Sequence, residues 1–471
     1  MAGKTLYLGP RLKKLRRDLG LTQAIMAADL EISASYIALM ERNQRPVTAE
    51  MLIKLATTYR VDVGELADVN ADQTVARLQG VLRDPVFSDI AIEPLDIEDI
   101  ATSYPGVAEA LLRLHTAFGE EQLALAERRE GDGAHGDPGP TGSAGGDAIG
   151  EARAFLAARR NCFSELDDSA AALAGSLNSF ETMRVYLAEN HELDLRLSDD
   201  GLLRSALRWH DYHRRRVYVA ERLDDGGRRF QAALQIAILE QGKVIADISS
   251  EGRVAGEDGK RLVQRALQSY WAAALLMPYR AFARAAADLR YDIEALCSRF
   301  SVSFQQAAHR LTTLQRPGEE GVPFFFLRVD RAGNVSKRLD GAGFPFARHG
   351  GACPLWNVHR AFERPDEVNA QMIELPDGER YVSIARTVRG GGGAFGAPSV
   401  MRSVAIACAA VHRDKLIYGT VLADAKPTPI GVACRMCHRP RCIARSAPPI
   451  GREIVPARFR ESGMPFDFSM D

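Results

Sequence analysis

Thr22-Gln23-Ala24-Ile25-Met26-Ala27-Ala28-Asp29-Leu30-Glu31-Ile32-Ser33-Ala34-Ser35-Tyr36-Ile37-Ala38-Leu39-Met40-Glu41-Arg42 reads as two short helices joined at a tight bend. Thr22 and Ser33 stand where an N-cap hydroxyl is needed to accept from the first free backbone N–H groups. Ile25, Met26 and Leu30 form the apolar face of the first helix, and Ile37 and Met40 that of the second. The short joint Leu30-Glu31-Ile32 between them predicts helix-turn-helix geometry. In that arrangement the second helix enters the major groove of duplex DNA, its N-terminal residues nearest the base edges. Ala34, Ser35, Ala38 and Arg42 then face outward, with Ser33 and Tyr36 beside them. Gln23 is placed to bond a phosphate. Because Ala34, Ser35 and Ala38 are small, sequence readout leans on Arg42, Asn43 and Arg45, on thymine methyls, or on DNA shape.

The flanking charge agrees. Residues 1–60 hold ten Lys/Arg against five Asp/Glu, a balance of +5 in a chain whose formal net charge is −1. A local excess of this sign suits a phosphate-facing module. The 471 residues are enough for about three domains, and 46% hydrophobic with 26% charged residues is ordinary for a globular protein. No apolar run approaches the ~18 residues of a membrane span, and Met1-Ala2-Gly3-Lys4-Thr5 begins no signal sequence, so a cytoplasmic protein is expected.

Outward from the first module, residues 71–130 keep helical spacing and read as a helical connector after the 1–70 DNA-binding domain. Residues 131–150 carry eight glycines and two prolines and read as a flexible linker. Residues 151–315 are mainly helical, with one half-buried strand at Arg216-Val217-Tyr218-Val219-Ala220. Residues 316–471 change character. Val322 to Asp330 is a buried strand, Arg331-Ala332-Gly333-Asn334 a turn, and Val335 to Arg338 the return strand. Further strands at Tyr381–Ala385 and Ser403–Ala407 complete an α+β domain with an antiparallel sheet. The fold class is therefore multidomain: an all-α helix-turn-helix start, a mainly helical middle and an α+β end.

Three of the seven cysteines, Cys434, Cys437 and Cys442, fall within nine residues. Thiolates so gathered commonly hold zinc or an iron–sulfur cluster. A fourth ligand must come from elsewhere. Cys353, between Gly351 and Pro354, is the first choice; Cys408 sits on an apolar run, and His438 would have to fold back.

The N-terminal pattern, from Arg11-Leu12-Lys13-Lys14-Leu15-Arg16 through Leu21-Thr22-Gln23 to Glu41-Arg42, resembles the XRE/phage-repressor-like family. Tyr270-Trp271-Ala272-Ala273-Ala274-Leu275-Leu276-Met277-Pro278 resembles a segment of the ImmA/IrrE metallopeptidase-like family, which binds zinc through H-E-x-x-H on a preceding helix. Here Leu234, Gln235 and Ile238 stand at those positions, so no ligand or general base survives and peptidase activity is not expected. Leu289–Ala307 mimics a second helix-turn-helix and is read as structural packing. Together with Gly321–Asn334, Gly350–His359 and the cysteine run, the whole chain outside 131–150 resembles the short-chain fatty acyl regulators. That family includes regulators of methylcitrate, glyoxylate and propionyl-CoA carboxylase genes. The resemblance implies a transcription regulator that responds to an acyl-CoA such as propionyl-CoA. It tips the cysteine site, Cys353, Cys434, Cys437 and Cys442, toward [4Fe–4S] over zinc.

A CoA site needs cations for phosphates, a stacking surface and an apolar slot. Candidate residues are Arg214, Arg216 and Tyr218; Phe155, Phe163, Tyr270 and Tyr279 for an apolar wall; and Lys337 and Arg338 for phosphates. A homo-oligomer, dimer or tetramer, is expected because paired half-sites need one. The rivals are a repressor-cleaving metallopeptidase, a purely redox-sensing DNA-binding protein, and zinc as a structural staple.

Overall fold

A computed structural model describes residues 9–42, 44–59, 71–87, 90, 92–132, 144–199, 203, 206–251, 254, 256–339, 344, 353–391, 399–450 and 452. The chain divides into two compact units. The first comprises residues 1–128, 375–379 and 435–471; the second comprises 129–374 and 380–434.

The first unit opens with α1 (Gly9–Asp18), α2 (Gln23–Asp29), α3 (Ala34–Glu41) and α4 (Ala49–Tyr59). Thr22 and Ser33 cap α2 and α3 through bonds to the amides of Ile25 and Tyr36, each 3.2 Å. Leu12, Met26, Leu30, Ile37, Met40, Leu52 and Leu55 make their core. Ile25 departs from the sequence reading: it is 48% exposed, because Met26, Ala27 and Leu30 already fill the inward face. The connector is a packed element in its own right. α5 (Ala71–Val81), α6 (Pro94–Ser103) and α7 (Pro105–Asp132) bury Leu78, Ile97, Ala101, Ala108 and Leu112 together.

Most of the expected linker, residues 133–143, lies outside the described residues. Its last seven positions are helical, however, since α8 spans Ala144–Ala158. In the second unit α8 is followed by α9 (Ser164–Ala174), α10 (Phe180–His191), β1 (Asp194–Ser198), β2 (Arg208–Asp211) and β3 (Arg216–Ala220). These strands form a small sheet in the order β1-β3-β2, with β2 antiparallel at its edge. Then come α11 (Asp225–Glu240), α12 (Gly242–Ser250), α13 (Glu257–Leu276), α14 (Tyr279–Asp288), α15 (Ile293–Phe300) and α16 (Phe304–Leu311). α16 buries Phe304, Ala307, Ala308, Arg310 and Leu311, so the second helix-turn-helix look-alike is packing.

The last part is a six-stranded sheet in the order β5-β4-β8-β7-β6-β9: β4 (Phe325–Val329), β5 (Val335–Leu339), β6 (Asn369–Glu374), β7 (Arg380–Gly391), β8 (Ser399–Ala409) and β9 (Thr428–Pro429). All its pairings are antiparallel except β6 with β9. β4 starts later than Val322, after Pro323, which lacks a ladder donor. One face carries Phe326, Ile384, Val404 and Ile406 into the same core as Trp271, Phe282 and Leu311. The helical middle and the sheet, distinct by sequence, thus share one hydrophobic interior. The opposite face carries Phe325 and Tyr381, which pack around Phe344 and Trp356 ahead of α17 (Asn357–Arg360).

Candidate DNA-binding and ligand sites

On α3 the outward residues are Ser33, Ala34 and Ser35, exposed, with Tyr36 and Ala38 half-buried and Arg42 exposed. Ser33 and Ser35 share a hydroxyl bond of 2.9 Å, and the Arg45 guanidinium sits 4.6 Å over the Tyr36 ring. Asn43 lies outside the described residues. Gln23 differs from a free phosphate ligand, because its amide donates to Glu41 at 2.7 Å. Glu41, 7% exposed, is also gripped by two nitrogens of Arg16. Burial pushes the Glu41 carboxyl up, but bonds from Arg16 and Gln23 outweigh it and hold its pKa below the ordinary value. This bridge ties α1, α2 and α3 into one rigid reader and leaves Gln23 one amide hydrogen to spend elsewhere.

In the second unit two cations, Lys337 and Arg328, have no carboxylate partner among the described residues. Lys337 on β5 lies directly across from Arg328 on β4. Like charges in that register destabilise a sheet. Among the described residues Lys337 has no ion-pair partner, and Arg328 is bonded only to neutral acceptors, Ser336 at 2.9 Å and Gln305 at 3.2 Å. Burial, then Arg328, pushes Lys337 down to about 8. Burial and Arg402 lower Arg328. His309 on α16 stands edge-on to Phe326, and burial followed by Lys337, Arg310 and Arg328 keeps its imidazole neutral. Arg153 on α8 is lowered by burial and by Arg338. Lys337, Arg338 and His309 still keep some accessible surface. Lys337 and Arg328, side by side with no carboxylate against either among the described residues, make this the part of the second unit best suited to an anion.

The other ligand candidates have different surroundings. Phe155 and Phe163 stack with ring centroids 6.4 Å apart, and Phe163 meets Tyr270 edge-on. The Tyr270 hydroxyl donates to Asp167 at 2.6 Å, and Tyr279 donates to the Glu319 carbonyl at 2.9 Å. Asp167 also pairs with Arg310 at 2.6 Å, both side chains fully buried. These four aromatics therefore serve the core of the second unit. Arg214 and Arg216 belong to the hairpin between β2 and β3 and face Asp211 and Asp194, while Tyr218 stacks on Trp209. Their charges are already balanced at the surface, which sets them apart from Lys337 and Arg328.

At the peptidase-like position, Leu234, Gln235 and Ile238 lie on α11 where zinc ligands and base would stand. Gln235 accepts a bond from Arg208 at 2.6 Å and reaches His210 Nδ1 at 3.4 Å. Sequence reasoning missed Arg208; only the β2 edge register brings it there.

The cysteine run is irregular. A turn of 3-10 helix covers Cys434–Met436, and the Arg445 guanidinium, 3% exposed, donates to the carbonyls of Cys437 and Arg439 at 3.0 and 2.7 Å. Arg439 donates to the Leu375 carbonyl at 2.7 Å. Burial raises the Cys437 thiol, with Arg439 and Arg445 opposing. Cys353 and Cys408 are buried, Cys408 on the core face of β8. Among the described residues, no group of three or more His, Cys, Asp or Glu side chains is gathered to hold a metal ion. The thiol chemistry suits a soft metal, and the arrangement described does not yet collect it.

A helix-turn-helix joined to a peptidase-like helix without zinc ligands and to a mainly antiparallel six-stranded sheet is the build of a DNA-binding transcription regulator. Family models match along the chain: a helix-turn-helix at 12–66, an IrrE N-terminal-like domain at 188–312, and the C-terminal domain of short-chain fatty acyl coenzyme A regulators at 313–466. The propionyl-CoA carboxylase regulator of Cereibacter sphaeroides is 38% identical over 98% of both chains. The HTH-type transcriptional regulators RamB and PrpR of Mycobacterium tuberculosis are 34% and 35% identical over 98% of this chain, covering 98% and 95% of their own. A solved structure of a Mycobacterium tuberculosis transcriptional regulator superposes with a TM-score of 0.64 at 34% identity, covering 68% of this chain and 99% of the other. The chain belongs to the short-chain fatty acyl coenzyme A regulator family and is a DNA-binding regulator of short-chain acyl-CoA metabolism.

Proposed function

We propose that this regulator binds operator DNA through α1 to α4 and takes an acyl-CoA, such as propionyl-CoA, in its second unit. The observation that carries the ligand half is the Lys337–Arg328 row, a cross-strand pair of cations without a carboxylate among the described residues. The phosphates of CoA supply the missing negative charge, with neutral His309 as a hydrogen-bond donor beside Lys337, and with Arg338 and Arg153 as further phosphate contacts from the other face of β5. The C. sphaeroides relative's name, a propionyl-CoA carboxylase regulator, favours the three-carbon acyl group. Ligand binding would shift the population of DNA-competent molecules.

The reading includes a homo-oligomer, dimer or tetramer, in the cytoplasm. Val107, Leu114 and Phe118, exposed along α7, with Tyr104 just before it, give it a surface. The missing ligands at Leu234, Gln235 and Ile238 support a regulator over a peptidase. Cys353, Cys434, Cys437 and Cys442 are the residues that would hold a [4Fe–4S] cluster, with zinc as the alternative; the neighbouring Arg435, Arg439 and Arg445 would offset the thiolate charge. Such a group would supply stability to its surroundings or redox input.

The test is a set of DNA-binding isotherms on the promoter fragment of the protein's own gene at fixed salt, with propionyl-CoA, acetyl-CoA and free CoA. A shift specific to one acyl-CoA, lost in Lys337→Gln, is expected. Tight binding indifferent to all three would refute the acyl-CoA reading. Iron and zinc analysis after anaerobic purification, with Cys437→Ser as the control, tests the cysteine site.

A further inference from the structure

The emptied peptidase position has acquired a cation of its own. Arg208 and His210 are two apart on edge strand β2, so their side chains share the sheet face that meets α11. Arg208 Nη1 donates to Gln235 Oε1 at 2.6 Å. Among the described residues, Nε and Nη2 have no partner, and no carboxylate pairs with the guanidinium. Nε and Nη2 form the edge that grips a carboxylate in two parallel bonds. Burial alone pushes Arg208 down to about 10. Gln235 Nε2 points at His210 Nδ1, which fixes the other ring nitrogen, Nε2, as a donor. Burial and then Arg208 lower the pKa of this imidazole, against an opposing pull from Asp211. The polar groups are therefore donors, suited to an anion. Beside them on α11, Leu234 and Ile238 are half-buried at i, i+4 on one helix face, where the two histidines of a zinc site would stand. A cationic fork next to a small aliphatic wall is amphipathic in the same sense as a short fatty acid.

We infer that the vestigial peptidase site is a binding site for a short-chain carboxylate, with the carboxylate on Arg208 and the alkyl tail against Leu234 and Ile238. The guanidinium supplies the positive charge that a zinc ion supplies in the peptidases, without its Lewis acidity. This site is separate from the Lys337–Arg328 pair and goes beyond the acyl-CoA reading. The protein would then sense the free acid as well as its thioester.

The test titrates the full-length protein with sodium acetate, propionate and butyrate and with inorganic phosphate, read by calorimetry and by ligand-observed NMR. Saturable propionate binding with Kd on the order of 1 mM is expected for so small a ligand. Each added methylene should tighten binding about fourfold until the wall is covered. Arg208→Gln should weaken propionate at least tenfold. Arg208→Lys, which keeps the charge and loses the fork, should fall between. Ile238→Trp should weaken it with Arg208 intact, and circular dichroism confirms that each variant is folded. Unsaturable binding, an unchanged Kd in folded Arg208→Gln, or displacement by phosphate as strong as by acetate would overturn the inference. Loss of acyl-CoA binding in Arg208→Gln would merge this site with the acyl-CoA site and overturn it as well; retained acyl-CoA binding supports two sites.

Discussion

Replacing Lys337 by Met should make the ligand-free protein more stable and a worse sensor. Lys337 is held near pKa 8 in place of 10.5, which corresponds to about 3 kcal/mol of unfavourable folding energy at neutral pH. Part of that is screened because the side chain keeps some accessible surface, and Met must repack, so a gain of about 1–2 kcal/mol is expected. The sign follows from proton binding. Between pH 8 and 10.5 the unfolded chain holds more protons at this lysine than the folded one. Wild-type stability from this group therefore rises with pH across that window, and the variant's advantage fades toward pH 10. Urea unfolding at pH 7, 8.5 and 10 reads the effect for both proteins. Calorimetry with propionyl-CoA should show at least a tenfold loss of affinity, since a charge-assisted phosphate contact is worth about 1.5–3 kcal/mol. A variant destabilised by more than 1 kcal/mol, with unchanged acyl-CoA affinity, would refute the idea that Lys337 is strained for a ligand's sake.

Asp167→Asn should cost the second unit about 3–5 kcal/mol, because it leaves buried Arg310 without its counterion; Arg310→Met with Asp167→Leu should recover much of the loss in urea titrations. Glu41→Gln should destabilise the N-terminal helices by about 1–3 kcal/mol and weaken operator binding. The Glu41 contribution has the opposite pH sense to that of Lys337: its folded pKa lies below 4.5, so the stability is present above the unfolded pKa and is lost as pH falls through the folded one, visible in acid titrations followed by circular dichroism. Arg42→Ala should cut specific DNA affinity by about 1–3 kcal/mol in isotherms with operator and scrambled duplexes.

Local chemistry was legible in the sequence, and remote partnership was not. Thr22 and Ser33 announced α2 and α3 because capping is a contact over three residues. The turn at Arg331–Asn334 announced the hairpin, with Gly333 at φ 84. Ile25 misled, since helical periodicity alone cannot say which of two adjacent apolar residues faces in. The aromatics Tyr270 and Tyr279 looked like a ligand wall because their hydroxyl partners lie far off in sequence: Asp167 is 103 residues from Tyr270. Lys337 and Arg338 were visible as charges, but their significance came from a register that places Arg328 opposite Lys337. Arg208 gave no signal at all until β2 lay against α11.

The first unit is not a contiguous stretch of chain. It takes in residues 1–128, the 375–379 hairpin tip and everything from 435 onward, so the polypeptide passes between units four times. Topologically the second unit is an insertion within the first, the unit that carries the helix-turn-helix. A backbone break in 133–143 falls inside the second unit and would sever α1 to α7 from the rest of the chain, leaving only residues 375–379 and 435–471 of the first unit covalently joined to the bulk of the second. A gene fragment ending before residue 435 would encode a first unit lacking part of its own body.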